Sequence, residues 1–252
     1  MADESVNIYR VHLGVVDSTN SYVRDEAETL ARLACGAGII AVTADAQTAG
    51  RGQRGNRWLS KDGENMLLTI LVEPRFLVPS RQFALSQAIA LAVRDTMLKY
   101  GIMARLKWPN DIYVEKGKLA GILIELDYEA DYIASAIIGV GLNVNQTEFA
   151  PMERVPTSMK ILTGRDFNVN EVTDSILLSF AKRYSLMKEC NLSLADEYKQ
   201  SLMGWGVSQH YKDMSGTFDA VIEDVEPDGH ILLRSDDGEL RRFAFKEVEL
   251  CI

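Results

Sequence analysis

The chain has 252 residues, with 27 Lys and Arg against 36 Asp and Glu, a net charge of -9, and 47% hydrophobic beside 25% charged residues. That length fits one large domain or a medium domain plus a small one, and the composition excludes a disordered chain, a fibre and a disulfide scaffold. The acidic balance argues against general nucleic-acid binding, which needs a basic surface to release counterions from phosphates.

Cys35, Cys190 and Cys251 form no Cys-x-x-Cys pair, so neither a disulfide framework nor a thiolate zinc site is expected. Residues 1–5 lack the basic and then apolar run of a signal peptide, and the apolar runs are too short to span a bilayer. A cytoplasmic protein with no membrane partner is expected.

Alternation over residues 9–13 predicts an opening strand. Asp17-Ser18-Thr19-Asn20 is helix-capping chemistry, and the spacing of Tyr22, Val23, Ala27, Leu30 and Ala34 predicts a helix ended by Gly36. Residues 39–43 read as a buried strand. Residues 45–65 carry glycines at 50, 52, 55 and 63 and few apolar groups, a long loop of the length that is usually functional or disordered. Residues 66–72 read as a strand stopped by Pro74, 83–100 as a helix, 104–107, 119–126 and 132–140 as strands, and 172–189 as an amphipathic helix. After Trp205 the texture changes to short strands at 217–222, 230–234 and 240–244, separated by Pro227-Asp228-Gly229 and Asp236-Asp237-Gly238 turns. The expectation is an α+β domain over residues 1–205, followed by a small antiparallel β module over 206–252.

Four segments carry candidate chemistry. Gly50-Arg51-Gly52-Gln53-Arg54-Gly55 has Gly-x-Gly-x-x-Gly spacing, but no helix starts within it, so the dinucleotide reading fails. What remains is a glycine loop in which residues 46–61 contain Arg51, Arg54, Arg57 and Lys61 and no acid. It reads either as an anion site or as a solvated basic loop. Lys107-Trp108-Pro109-Asn110-Asp111 places a cation, an indole, an amide and a carboxylate within one turn, a set suited to a phosphate, an apolar ring and a magnesium ion. Lys118 stands at the mouth of the apolar run 119–124, either as a ligand group or as a solvated strand end. Gly139 and Gly141 within a strand imply close backbone approach by a ligand or a neighbour. His12, His210 and His230 are scattered, and no Gly-x-x-x-x-Gly-Lys-Ser/Thr run exists, so triad, zinc-hydrolase and P-loop readings lack residues.

In this order Ser18-Thr19-Asn20, Gln47, the loop 50–55, residues 107–111, Lys118-Leu119-Ala120-Gly121-Ile122-Leu123 and Gly139-Val140-Gly141-Leu142-Asn143 resemble the biotin protein ligases. The resemblance implies a mixed sheet with flanking helices, like the class II aminoacyl-tRNA synthetase catalytic domain, plus a C-terminal SH3-like β-barrel. It implies formation of biotinyl-5′-AMP from biotin and ATP with Mg2+, then transfer of biotin to one lysine of a carboxyl-carrier domain. It also implies the roles. Lys118 and Arg51 are the catalytic cations. Ser18, Thr19, Asn20, Gln47, Gly50, Arg51 and Gly121 hold biotin, and Trp58 stacks on adenine. The nucleotide is bound by Arg51, Gly52, Gln53, Arg54, Gly55, Lys107, Asn110, Asp111 and Asn143, with Asp111 as metal ligand. Gln53 stands where many members carry arginine, which shifts adenylate retention to Arg51 and Arg54. Only 17 residues precede Ser18, fewer than the roughly 60 of a winged helix-turn-helix, so the type without a repressor domain is expected. A lipoate or octanoate ligase of the same fold is the alternative, as is a nucleotide-binding regulator without turnover.

Overall fold

The computed structural model describes residues 7–151, 154–190 and 193–251, without the side chains of Arg54 and Cys190. Among the described residues, twelve strands fall into two sheets. Strands β1 (Ile8–Val16), β2 (Ile39–Gln47), β3 (Asn65–Val72), β4 (Arg105–Lys107), β5 (Asp111–Val114), β6 (Gly117–Glu129) and β7 (Tyr132–Asn143) make a seven-stranded sheet in the order β1-β2-β3-β7-β6-β5-β4. Only β1 and β2 run parallel in it. Their crossover carries α1 (Thr19–Asp25) and α2 (Ala27–Leu33), as a parallel pair requires a helical connection. Strands β8 (Gln209–Asp213), β9 (Gly216–Val225), β10 (Ile231–Ser235), β11 (Leu240–Phe243) and β12 (Val248–Leu250) form the second, wholly antiparallel sheet in the order β11-β10-β9-β8-β12.

Alternation along the strands assigns the two faces of the large sheet. Met66, Leu68, Ile70, Ala120, Ile122, Ile138, Val140 and Leu142 point to one face, into a core shared with α3 (Phe83–Lys99) and α5 (Val169–Cys190). The intervening residues face the other way. Near the β1 end this second face is covered by Val23 and Leu30 of α1 and α2, packed on Ile40, Val42, Leu71 and Ile137. Farther along it is paved with small residues, Gly121, Gly139 and Gly141, so a trough opens beside α1.

The second sheet is not a free appendage. Its Tyr211, Ala220, Ile222 and Val248 belong to the same core as α3. Phe83, at the start of α3, meets Phe245 edge-on at 6.0 Å, and the Trp108 indole donates to the Gly229 carbonyl at 3.0 Å. A Cβ on Gly229 would lie 2.8 Å from the Phe83 ring, so this turn takes glycine both for its φ of 101° and for the docking.

The predicted strands and the two long helices are present. The single helix expected over 22–34 is instead two, broken at Glu26, whose φ of -104° and ψ of 12° leave the helical region. Strands β5, β8 and β12 and the short helices α4 (Met159–Thr163) and α6 (Ala195–Gln200) are additions to the expectation. No helix among the described residues is long and apolar enough to cross a membrane.

Candidate active site

The trough leads into one cavity of about 510 Å³, walled by the large sheet, the glycine loop and the rim of the second sheet. Its first end is built at the start of α1. Ser18 has extended backbone and its Oγ accepts from the Ser21 amide at 3.5 Å, so it caps the helix. The next two side chains are thereby turned into the sheet. The Thr19 amide and hydroxyl both donate to Gln47 Oε1, at 2.7 and 3.0 Å. Buried Thr69 on β3 lies with its hydroxyl 2.8 Å from Thr19 Oγ1 and 2.7 Å from Asn20 Oδ1. Asn20 Nδ2 donates to Glu125 Oε2 at 3.1 Å. A Cβ on Gly139 would sit 2.2 Å from Asn20 Oδ1, so this glycine of β7 makes room for the amide.

Glu125, on β6, then collects the cations. Arg51 binds it with both terminal nitrogens, at 3.2 and 2.8 Å, and Arg24 of α1 binds it too. Burial pushes the Glu125 carboxyl up, but the hydrogen bonds from Asn20, Arg24 and Arg51 outweigh it and hold the group below the usual carboxylate range.

The glycine loop is ordered by its own backbone. Arg51 and Arg57 form an antiparallel bridge, the Gly52 amide donates to the Asn56 carbonyl at 2.7 Å, and the Trp58 amide to the Gly50 carbonyl at 3.0 Å. A Cβ on Gly50 would lie 2.4 Å from the Trp58 carbonyl. The hairpin drops the Trp58 indole onto Gly141, where an added Cβ would come within 2.3 Å of the ring. Lys118 Nζ stands 6.0 Å from the indole centroid.

The second end is ionic. Asp111, only 5% exposed, has Lys118 Nζ 2.6 Å from Oδ1 and accepts from Arg154 at Oδ2 at 2.9 Å. The lysine lies off the bonding direction, so Asp111 Oδ1 is buried without a hydrogen bond. Lys107, paired with Asp111 across β4 and β5, is buried; burial pushes its ammonium below the usual lysine range, the charge of Arg154 adds to that, and Glu249 and Asp111 oppose it. Tyr113, beneath it, is pushed up to about 12, by burial first and the Asp111 charge second. Asn110 donates to the Ile122 carbonyl at 2.8 Å and accepts the Ile122 amide on its own carbonyl at 2.9 Å, which ties the turn after the cis Trp108–Pro109 peptide to β6.

Ser18, Thr19, Asn20, Gln47, Arg51, Gly52, Gln53, Trp58, Lys107, Asn110, Asp111, Lys118 and Gly121 thus all line one cavity. Gly50 and Gly55 are outside its wall, and the Arg54 side chain lies outside the described residues. Asn143 is not part of the wall; it donates to the carbonyls of Thr157 at 2.9 Å and Lys118 at 3.5 Å, so it braces the backbone of the lysine. Glu125, Thr69, Arg154 and the rim from the second sheet, including Lys212 and Glu249, escaped the sequence reading. Thr69 and Glu125 had a signal, each a polar residue within an apolar strand run; Arg154 and Glu249 had none.

A family model described as the Biotin/lipoate A/B protein ligase family matches residues 15–143, the stretch that supplies the α1 end and part of the ionic end of the cavity. The chain belongs to the biotin/lipoate A/B protein ligase family. Within it, the chain is 31% identical over 214 residues to the bifunctional ligase/repressor BirA of Bacillus spizizenii, covering 83% of this chain and 65% of that relative's length. It is 32% identical over 234 residues to the biotin--[acetyl-CoA-carboxylase] ligase of Mycobacterium tuberculosis, covering 88% of this chain and 82% of that one. The fold matches that of the biotin protein ligase from Aquifex aeolicus, solved in complex with biotin and ATP, with a TM-score of 0.78 over 96% of this chain and 98% of the other at 24% identity.

Proposed function

We propose that the protein is an ATP-dependent biotin protein ligase, with residues 1–205 as the catalytic unit and 206–252 as a small SH3-like module, working in the cytoplasm. One observation carries it: a neutral, hydrogen-bonded polar end and a lysine-rich end lie in one cavity, with Trp58 lying beside Lys118. Biotin has a ureido ring with two donors and one acceptor on an apolar body. Gln47, Thr19 and Asn20 offer acceptors and donors to the ring, and Leu67 and Leu123 offer apolar wall.

Arg51 and Lys118 then face the biotin carboxylate and the α-phosphate. A carboxylate oxygen attacks the α-phosphorus, the bond to the β-phosphate breaks, and pyrophosphate leaves with its electron pair. Negative charge crowds in that transition state, and the fixed ammonium of Lys118, already held against Asp111, is oriented to meet it. The indole of Trp58 offers the flat face on which adenine stacks. Asp111, whose buried Oδ1 makes no hydrogen bond and carries only the Lys118 ammonium at 2.6 Å, would hold Mg2+ once that lysine turns to the phosphates, and the metal would supply charge neutralisation there. In the second half-reaction the neutral amine of a carrier-domain lysine attacks the acyl carbon and AMP leaves. The loop hairpin over Gly50–Trp58 keeps water from that carbon in the interval.

The biotin--[acetyl-CoA-carboxylase] ligase name of the Mycobacterium relative favours biotin over lipoate as the acid, and so does the polar Gln47–Thr19–Thr69 group, whose donors and acceptors an acyl chain cannot use. The test combines the protein with ATP, Mg2+ and a carboxyl-carrier domain, and measures pyrophosphate exchange and carrier mass with biotin or lipoate. Biotin-dependent exchange and one biotinyl increment on the carrier are expected. Exchange with lipoate alone overturns the assignment.

A further inference from the structure

Arg154 belongs to neither sheet, yet its position is closely built. The segment around it runs beside the first residues of β6: the Lys118 amide donates to the Val155 carbonyl at 2.8 Å, and the Thr157 amide to the Lys118 carbonyl at 2.9 Å. Gly117 keeps this strip clear, since a Cβ there would lie 2.8 Å from the Thr157 side chain. The Asn143 amide holds the Thr157 carbonyl from behind. Arg154 is thereby set two residues before the pairing and projects over Asp111 into the cavity wall. Its other terminal nitrogen donates to Glu249 of β12 at 2.7 Å. Lys118 and Arg154 pair with Asp111, and Lys107 and Arg154 with Glu249, so among the described residues three cations meet two carboxylates and the cluster keeps one positive charge in excess. Lys107 and Lys118 carry point charges from strands. Arg154 brings a planar fork, matched to two phosphate oxygens at once, from a segment outside the regular structure.

We propose that Arg154 is a phosphate-binding residue for the nucleotide, and that Glu249 of the second sheet is the positioning residue that aims it. The inference rests on the ligase reading and adds to it a contact that couples the C-terminal sheet to the phosphates. The guanidinium exchanges Asp111 for phosphate oxygens while Glu249 keeps its other edge, so the fork swings about the Glu249 contact and stays within the wall. No bond is made or broken in this step.

Equilibrium titration of a non-hydrolysable ATP analogue, read by calorimetry, against the intact chain, Arg154→Met, Arg154→Lys, Glu249→Gln and the double variant tests this, with biotin titrated in parallel. Loss of one charge-assisted pair to phosphate predicts a dissociation constant raised about 10- to 100-fold in Arg154→Met, with biotin affinity unchanged within about twofold. Arg154→Lys recovers part of the affinity. Glu249→Gln weakens nucleotide binding about two- to fivefold, and the double variant is no weaker than Arg154→Met alone, because Glu249 acts only through Arg154. Nucleotide affinity unchanged in Arg154→Met, or biotin and nucleotide affinities falling together with the melting temperature, overturns the proposal. Biotin-dependent pyrophosphate exchange by the intact chain is run alongside: its absence defeats the ligase reading, whereas its presence with an unaltered Arg154→Met titration defeats only this inference.

Discussion

The two ends of the cavity solve the same problem, polar groups lodged in an apolar sheet, by opposite means. At the α1 end, Thr19, Gln47, Thr69 and Asn20 bond to one another through neutral hydrogen bonds, and charge enters only at the border, where Glu125 meets Arg24 and Arg51. At the Asp111 end nearly every group is ionic, and one carboxylate is surrounded by more cations than it can bond. The neutral end is rigid and shape-reading, because moving any member strands a buried donor or acceptor at about 1–3 kcal/mol. The ionic end is tolerant of position and reads charge. A small neutral ring and a polyanion are the ligands for which those two properties are suited.

Substitutions at each end therefore have separate signatures. The largest effect is expected from Lys118→Ala: adenylate formation measured by pyrophosphate exchange falls about 10²- to 10³-fold while the far-ultraviolet spectrum is retained, since the side chain is replaced at a strand end. A near-normal rate would show that the ionic end does not act on the reacting phosphate. Gly141→Ala is next. The new methyl would sit 2.3 Å from the indole, so Trp58 must leave its seat, and a displacement of about 1 Å costs up to about 10²-fold in rate. Trp58 fluorescence should shift, and nucleotide binding should suffer more than biotin binding. Gln47→Ala reverses that ratio, lowering biotin affinity about tenfold by calorimetry with the nucleotide affinity unchanged.

The smallest effect concerns the border residue. The Glu125 carboxyl is held below the ordinary range, so its pairing with Arg51 is complete above the unfolded-state carboxylate value and is lost as pH falls through the lowered one. The fluorescence of Trp58, carried by the same loop, should therefore change as pH falls through that window. Glu125→Gln should show the altered signal already at neutral pH and lose the acid transition. A signal indifferent to both changes would mean that the carboxylate does not hold the loop.

The sequence disclosed the neutral end better than the ionic one, and the reason is spacing. Ser18, Thr19 and Asn20 are adjacent, their role as helix start and pocket lining follows from one cap, and Gln47 ends the next strand. The glycines at 139 and 141 announce close approach, and the approaching groups, Asn20 and Trp58, are themselves within motifs. The ionic end is assembled from residues 107–118, 154 and 249. No periodicity links these positions, because Arg154 is placed by backbone pairing with Lys118, and Glu249 by the closing strand of another sheet. For Asn143 the motif gives its proximity to Lys118 but not its partners, because the Thr157 carbonyl that its amide holds comes from a segment with no periodicity. The break at Glu26 has no Gly or Pro to mark it.

Residues 246–250 supply part of the cavity's rim, far along the chain from the cap at Ser18 that founds the opposite end. The border of the ionic end is therefore set only once β12 has paired with β8, so the cavity depends on two separately hydrogen-bonded sheets meeting in one register.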